Sequence, residues 1–271
     1  MDRLPDELLA LVLGCVPAPQ RIAARAVSRR WLGVIDANPR LIRGMPRGCV
    51  LEGFRRMCDT GDLAKARWLV DTFGITTRDA LDSRALYRAC SRGHLAMAQW
   101  LVARFDFSVR DARANNNRLL RTACALGRGA MARWLIDHFG LGPEDARAEN
   151  NEALRAACTG GHLDIASGLA TRFGFGAADA RDPLRDACTV GNLTLLQWLI
   201  DRFGLSAGDV RRAIRGGLRG ACINGHIYVI EFLLGRDYLT AEDVSRCLTS
   251  IDPRTANRTR AALRRRLGAH F

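Results

Sequence analysis

The sequence predicts an all-α protein: a helical repeat solenoid of six blocks with a three-helix module ahead of it. Three observations predict this class. Six stretches, beginning at Phe54, Leu86, Leu120, Leu154, Leu184 and Leu218, share one internal spacing without gaps. Within each stretch apolar residues recur at helical intervals. Residues 4–42 follow a different pattern, so the repeat does not begin at the N-terminus.

The first element is that different stretch, which reads Leu4-Pro5-Asp6-Glu7-Leu8-Leu9, Val12-Leu13, Ile22 and then Val27-Ser28-Arg29-Arg30-Trp31. Pro5 fits a helix start, Pro17 and Pro19 break the first helix, and Ile22, Ala26, Val27 and Trp31 fit a second and third short helix. So small a unit leaves Leu8, Leu9, Val12 and Trp31 poorly covered, which points to a partner or the solenoid as their cover. The order Leu-Pro-x-Glu, a hydrophobic pair, then Val-Ser-Arg-Arg-Trp resembles the F-box. That resemblance implies docking on the Skp adaptor of cullin-RING ubiquitin ligases through Leu4, Pro5, Leu8, Leu9, Val12, Leu13, Val27 and Trp31. The alternative is that these residues only cap the open end of the stack.

The six blocks follow. Four residues after each leading Leu or Phe comes Cys58, Cys90, Cys124, Cys158, Cys188 or Cys222; three further on comes Gly61, Gly93, Gly127, Gly161, Gly191 or Gly225; and 18 beyond that comes Asp79, Asp111, Asp145, Asp179, Asp209 or Asp243. The residues before the Gly predict a short helix whose Ala-Cys positions allow close approach to a neighbour. After the Gly, runs such as Leu193, Leu196, Leu199, Ile200 and Phe203 predict a second helix. Trp68, Trp100, Trp134 and Trp198 share one position there and are expected to pack between repeats, while Gly168 and Phe232 replace the Trp and mark looser or specialised blocks. Thr76, Ser108, Ser206 and Thr240 stand three residues before the Asp, the spacing of a capping box that opens a further helical turn.

The run Leu154-Arg-x-Ala-Cys-x-x-Gly-His-Leu163 resembles the core of ankyrin repeats. The Thr-Pro ahead of that core is missing, and Asp145-Ala-Arg-Ala-Glu-Asn-Asn-Glu-Ala-Leu154 resembles the variant ankyrin repeats of giant DNA viruses of amoebae. The resulting division is an F-box-like module at 1–46, six variant ankyrin repeats at 47–245, and a basic helix at 246–271 that caps the last repeat with Ala261, Ala262, Leu263 and Leu267 while its arginines face water.

Composition narrows the function classes. The Leu8–Cys15 segment has more acid than base around it, unlike a secretory signal, and no stretch approaches the apolar length of a membrane span. An intracellular protein in the cytoplasm or nucleus, of a host cell if viral, is expected, with its periodic cysteines reduced and packed in the core. With Lys65 the sole lysine there is no P-loop, and neither Gly-x-Ser-x-Gly nor His-Glu-x-x-His occurs, so no enzyme, cofactor or metal site is expected. His94, His162 and His226 recur after the Gly and are expected to be structural.

The net charge of +13 is carried almost wholly by arginine. A GC-rich coding sequence accounts for such a bias, and so does recognition of phosphates or carboxylates. The residue after the periodic Leu or Phe is Arg55, Arg121, Arg155, Arg185 or Arg219, a ladder that would either present a basic stripe or hydrogen-bond the neighbouring loops. Arg56, Arg88, Arg92, Thr122 and Asp186 vary between blocks and are the candidate target contacts. The resemblances together imply a non-enzymatic adaptor: the F-box recruits the ligase through the Skp adaptor, and the concave face of the solenoid selects a protein for ubiquitination. The competing reading is a basic module for nucleic acid or an acidic partner, with the N-terminal helices as an end cap; no membrane is expected.

Overall fold

The computed structural model of the chain describes residues 47–268. The module expected at 1–46, with its docking residues from Leu4 to Trp31, lies outside the described residues. Those described form fifteen helices and no strand, the all-α repeat class that the spacing predicts. The chain divides into two compact units, one ending at Asp111 and the other beginning at Ala112.

In the first unit, α1 (Arg47–Thr60), α2 (Leu63–Phe73) and α3 (Thr77–Asp82) are followed by α4 (Ala85–Arg92) and α5 (Leu95–Phe105). The α1 helix packs on α4, with Phe54, Met57 and Cys58 fully buried and the Phe54 ring edge-to-face with Phe105 at 6.1 Å. Each helix pair is broken where the periodic Gly takes a left-handed φ, +76° at Gly61 and +82° at Gly93, which lets the chain turn back at little steric cost.

The segment α6 (Val109–Ala125) is two helical stretches separated by a kink at Ala114 to Asn117. The second unit continues with α7 (Gly129–Phe139), α8 (Pro143–Thr159), α9 (Leu163–Phe173), α10 (Arg181–Val190), α11 (Leu193–Phe203), α12 (Ala207–Asn224), α13 (Ile227–Gly235), α14 (Ala241–Thr249) and α15 (Pro253–Leu267). The first helices of successive blocks stack, α8 on α10 and α10 on α12. Gly217 permits the second contact, because a Cβ there would lie 2.6 Å from the Arg185 carbonyl oxygen. In α8 the Glu149-Asn150-Asn151 segment is entirely left-handed, and Asn115-Asn116-Asn117 in α6 is the same. Asn tolerates this region far better than most residues, and here its side chains also bind the next block: Asn117 Nδ2 donates to the Asp145 carbonyl at 3.2 Å and Asn151 Nδ2 to Asp179 Oδ1 at 3.1 Å.

The capping boxes form where the sequence places them, on Thr76, Ser206 and Thr240, each paired with the Asp three residues on. At the fourth expected site, Ser108 N–H donates to Asp111 Oδ2 at 2.8 Å. The four tryptophans are half-buried, and each ring edge meets the Phe five residues later on its own helix, at 5.8 Å for Trp68 and Phe73 and 6.2 Å for Trp198 and Phe203.

The C-terminal helix begins at Pro253 and not at 246, because Asp252 caps it through the Thr255 N–H and proline suits its first turn; residues 246–249 complete α14. It buries Ala256, Thr259 and Leu263 against the last block, and Thr259 Oγ1 donates to the Cys222 carbonyl at 2.8 Å.

The histidines after the periodic Gly do not cap their own helices; they reach back to the block before. His94 Nε2 donates to the Asp59 carbonyl at 2.9 Å. A Cβ on Gly61, Gly127 or Gly191 would sit within 2.5 Å of the ring of His94, His162 or His226 respectively. Where the following block carries Asn192 instead, Gly161 has nothing within 4 Å, and Asn192 caps its own helix. This contrast makes a prediction. Gly225→Ala, at φ +72° with open space around it, should cost only the left-handed strain of roughly 1–2 kcal/mol. Gly191→Ala must also displace His226 and should cost about 1 kcal/mol more. Urea denaturation of both variants reads the difference, which should vanish in a His226→Ala background; equal costs would contradict the His–Gly contact.

Candidate protein-binding surfaces

The surface of the repeats is shaped first by arginines that hold one block to the next. The aspartate of each capping box accepts from its own backbone, which leaves one carboxylate edge for a neighbour. Arg113 fills that edge on Asp145 as a fork, with Nε–Oδ1 2.8 Å and Nη2–Oδ2 3.0 Å. Arg147 donates to Asp179 Oδ1 at 3.4 Å, to the carbonyls of Phe173 and Gly174 at 3.3 Å, and lies over the Phe175 ring at 4.9 Å. In the first unit Arg47 binds Asp79 and the Phe73 and Gly74 carbonyls, and Arg211 donates to the Asp237 and Tyr238 carbonyls at the last block. The arginine so placed neutralises the C-terminal end of a helix as well as the aspartate. Sequence reasoning missed this clamp, although its signal is present: Arg47, Arg113, Arg147 and Arg211 each precede a capping Asp by 32 residues.

The candidate target contacts and the ladder fall partly into the same inter-block bonding. Arg88 Nη1 is 2.5 Å from Asp59 Oδ2 and Arg92 Nε is 3.9 Å from Oδ1 of the same carboxylate. Asp186 accepts from Arg155 at 2.8 Å and lies 3.6 Å from Arg185. Arg56 is exposed and Thr122 half-buried. Along the ladder, Arg55 pairs with Glu52 at 3.1 Å, Arg121 donates to the Asn115 carbonyl at 3.0 Å, and Arg185 pairs with Asp182 at 2.9 Å. The exposed Arg219 lies close enough to Cys247 to influence it. Arg55, Arg155 and Arg185 of the ladder are thus paired with carboxylates.

The six periodic cysteines are fully buried, and burial pushes the thiols of Cys58, Cys90, Cys124, Cys158 and Cys188 up to about 12. Cys247 behaves differently. It is half-buried on α14, where the neighbouring Cys222 thiol and the Arg219 charge lower its pKa against the opposing effect of burial. It lies outside the periodic set, so sequence alone offered no reason to single it out. Among the described residues no cluster could hold a metal ion, and no helix is long and apolar enough to cross a membrane.

Two comparisons with known proteins bear on this surface. Residues 1–43 match the F-box domain family model. No curated protein matches the chain. F-box domains bind the Skp adaptor of cullin-RING ligases, and proteins that carry them are generally adaptors and not enzymes.

Two predictions follow from the charges and thiols. Burial alone would raise the Asp145 carboxyl, but the hydrogen bonds from Arg113 and the Gly142 N–H outweigh it and hold the group below the usual carboxylate range. A depressed folded pKa contributes stability that is complete above the unfolded value near 4 and is lost as pH falls through the folded value. Asp145→Asn should thus lower stability by about 1–3 kcal/mol at neutral pH, with the gap from wild type narrowing below about pH 4. Denaturation midpoints across that range would show it, and a gap independent of pH would contradict the assignment. Separately, brief iodoacetamide treatment at neutral pH followed by peptide mass mapping should modify Cys247 at least roughly tenfold faster than the six periodic cysteines.

Proposed function

We propose that the chain is a substrate receptor, an adaptor that links a cullin-RING ubiquitin ligase to a protein held by the repeats. The observation that carries this reading is the F-box match at residues 1–43, set ahead of a helical repeat array. Leu4, Pro5, Leu8, Leu9, Val12, Leu13, Val27 and Trp31 would dock on the Skp adaptor, as their resemblance to the F-box implies. The blocks from 47 to 245 would act as variant ankyrin repeats of the kind found in giant viruses of amoebae, holding a host protein for ubiquitination, with all chemistry supplied by the ligase. Of the candidate target contacts, the exposed Arg56 and Arg92 keep most of their surface available, whereas Arg88 and Asp186 hold neighbouring blocks together.

The competing reading, a basic module for nucleic acid, needs unneutralised arginines in a continuous patch. Carboxylates neutralise Arg113, Arg147, Arg155 and Arg185, which favours the adaptor. Positive charge is also concentrated on α15, where Arg254, Arg258, Arg264 and Arg265 are exposed and Arg266 pairs with Glu231 at 2.8 Å, and on α12, where Arg211, Arg212, Arg215 and Arg219 are exposed.

Titration of the purified chain with a eukaryotic Skp adaptor tests the proposal. Wild type should bind, and Leu8→Asp and Trp31→Ala should each cost about 2 kcal/mol or more, roughly thirtyfold in Kd. Circular dichroism should show the repeat helices unchanged in both variants. A folded wild-type chain that fails to bind would reduce the N-terminal helices to an end cap, and salt-dependent binding to nucleic acid would then be the reading to pursue.

A further inference from the structure

Four of the six blocks place a Trp seven residues after the periodic Gly, and Gly168 takes that position on α9. Nothing in the fold demands glycine there. Its φ lies outside the left-handed region, and an added Cβ would meet nothing within 4 Å. Glycine inside a helix is also less favourable than alanine, by roughly a factor of five in the local equilibrium. Gly168 lines an open groove of about 510 Å³ between α7 and α9.

The floor of that cavity is Ala132, Ile136, Ile165 and Leu169, and its rim carries Arg133, Arg172 and Asp164. The Phe173 that would receive a Trp edge in the sister blocks is retained, buried, with the Arg172 guanidinium 6.0 Å from its centroid. Arg172 is already paired with Asp137 at 2.7 Å. Arg133 is exposed and has no ion-pair partner among the described residues. The volume falls in the range of roughly 300–1,000 Å³ typical of ligand sites, and in four sister blocks the position of Gly168 carries an indole from the chain itself.

We propose that the groove at Gly168 is an anchor site for a tryptophan of the target protein, with an adjacent carboxylate of the same segment paired to Arg133. This rests on the reading of the repeats as the target-binding part, and it moves the contact from the varying positions near the periodic Gly to the space between two second helices. An aromatic side chain seated in an apolar groove beside a charge-assisted contact is a common anchor in protein recognition.

The test uses the full chain and two blocked dipeptides, Asp-Trp and Lys-Trp, with binding read by ligand-observed NMR. A probe of this size should bind Asp-Trp saturably with a Kd of ~1 mM. Gly168→Trp supplies the missing side chain; it should raise Tm and weaken Asp-Trp at least about tenfold. Gly168→Leu, a smaller plug, should act in the same direction and guards against misfolding of the first variant. Arg133→Glu leaves the cavity open and should reverse the preference from Asp-Trp to Lys-Trp. Absence of saturable binding, or binding unchanged by both plugs, overturns the site; an unchanged charge preference in Arg133→Glu overturns the paired carboxylate. Free indole-3-acetate binding tighter than the dipeptide overturns the assignment to a protein segment. Skp-adaptor binding measured on the same variants should not change, so failure of the ligase reading and failure of this site give different results.

Discussion

Within each unit a block is incomplete without the neighbour that stacks on it, and that dependence organises the structure. A helix pair of this length buries one face at most, and the remaining apolar surface must be covered by a neighbour. The cover is fixed by two polar contacts with defined geometry. A histidine reaches back over the periodic Gly, as His94 does to the Asp59 carbonyl, and an arginine reaches forward to the next capping aspartate, as Arg113 does to Asp145. Both contacts satisfy backbone or carboxylate groups that a helix end otherwise leaves to water. They also make the register unique, because a slip by one residue would place a Cβ or a β-branched chain where only glycine fits.

This dependence explains which features were legible in the sequence. The Gly, Cys and capping-box positions are local: each acts within its own block, so periodicity alone exposes them, and Thr76, Ser206 and Thr240 cap as their spacing implies. The clamp was not legible, because Arg113 and Asp145 lie 32 residues apart and become partners only once the stack brings consecutive blocks into register. The left-handed Asn runs were hidden for a related reason. Nothing in the spacing singles out Asn115 to Asn117, and the contact of Asn117 with the Asp145 carbonyl becomes visible only in the stack. The histidines stand between these cases. Their spacing marked them as structural, but a residue at a helix start suggests capping, and the contact that forms is with the previous block.

The arginine excess reads differently once these contacts are drawn. Lysine could neutralise Asp145, but it could not make two parallel hydrogen bonds to one carboxylate, nor could it lie flat on Phe175 while donating to two carbonyls as Arg147 does. A substantial share of the positive charge is therefore structural and already paired. The repeats therefore present a surface of mixed sign rather than a uniformly basic one.

Specialisation in such an array appears where a block departs from the common pattern without a folding reason. Asn192 in place of His is a departure with a local substitute, since it caps its own helix. Gly217 departs because α10 and α12 approach too closely for any side chain. Cys247 lies outside the repeat and is half-buried where the periodic cysteines are fully buried. Gly168 is the departure with neither conformational nor packing cause. In the block that carries Gly168, His162 still packs against the turn at Gly127 and Asp179 is still held by Arg147, so the loss of one surface side chain is tolerated. That tolerance lets a single position exchange packing for recognition while the rest of the array stays as it is.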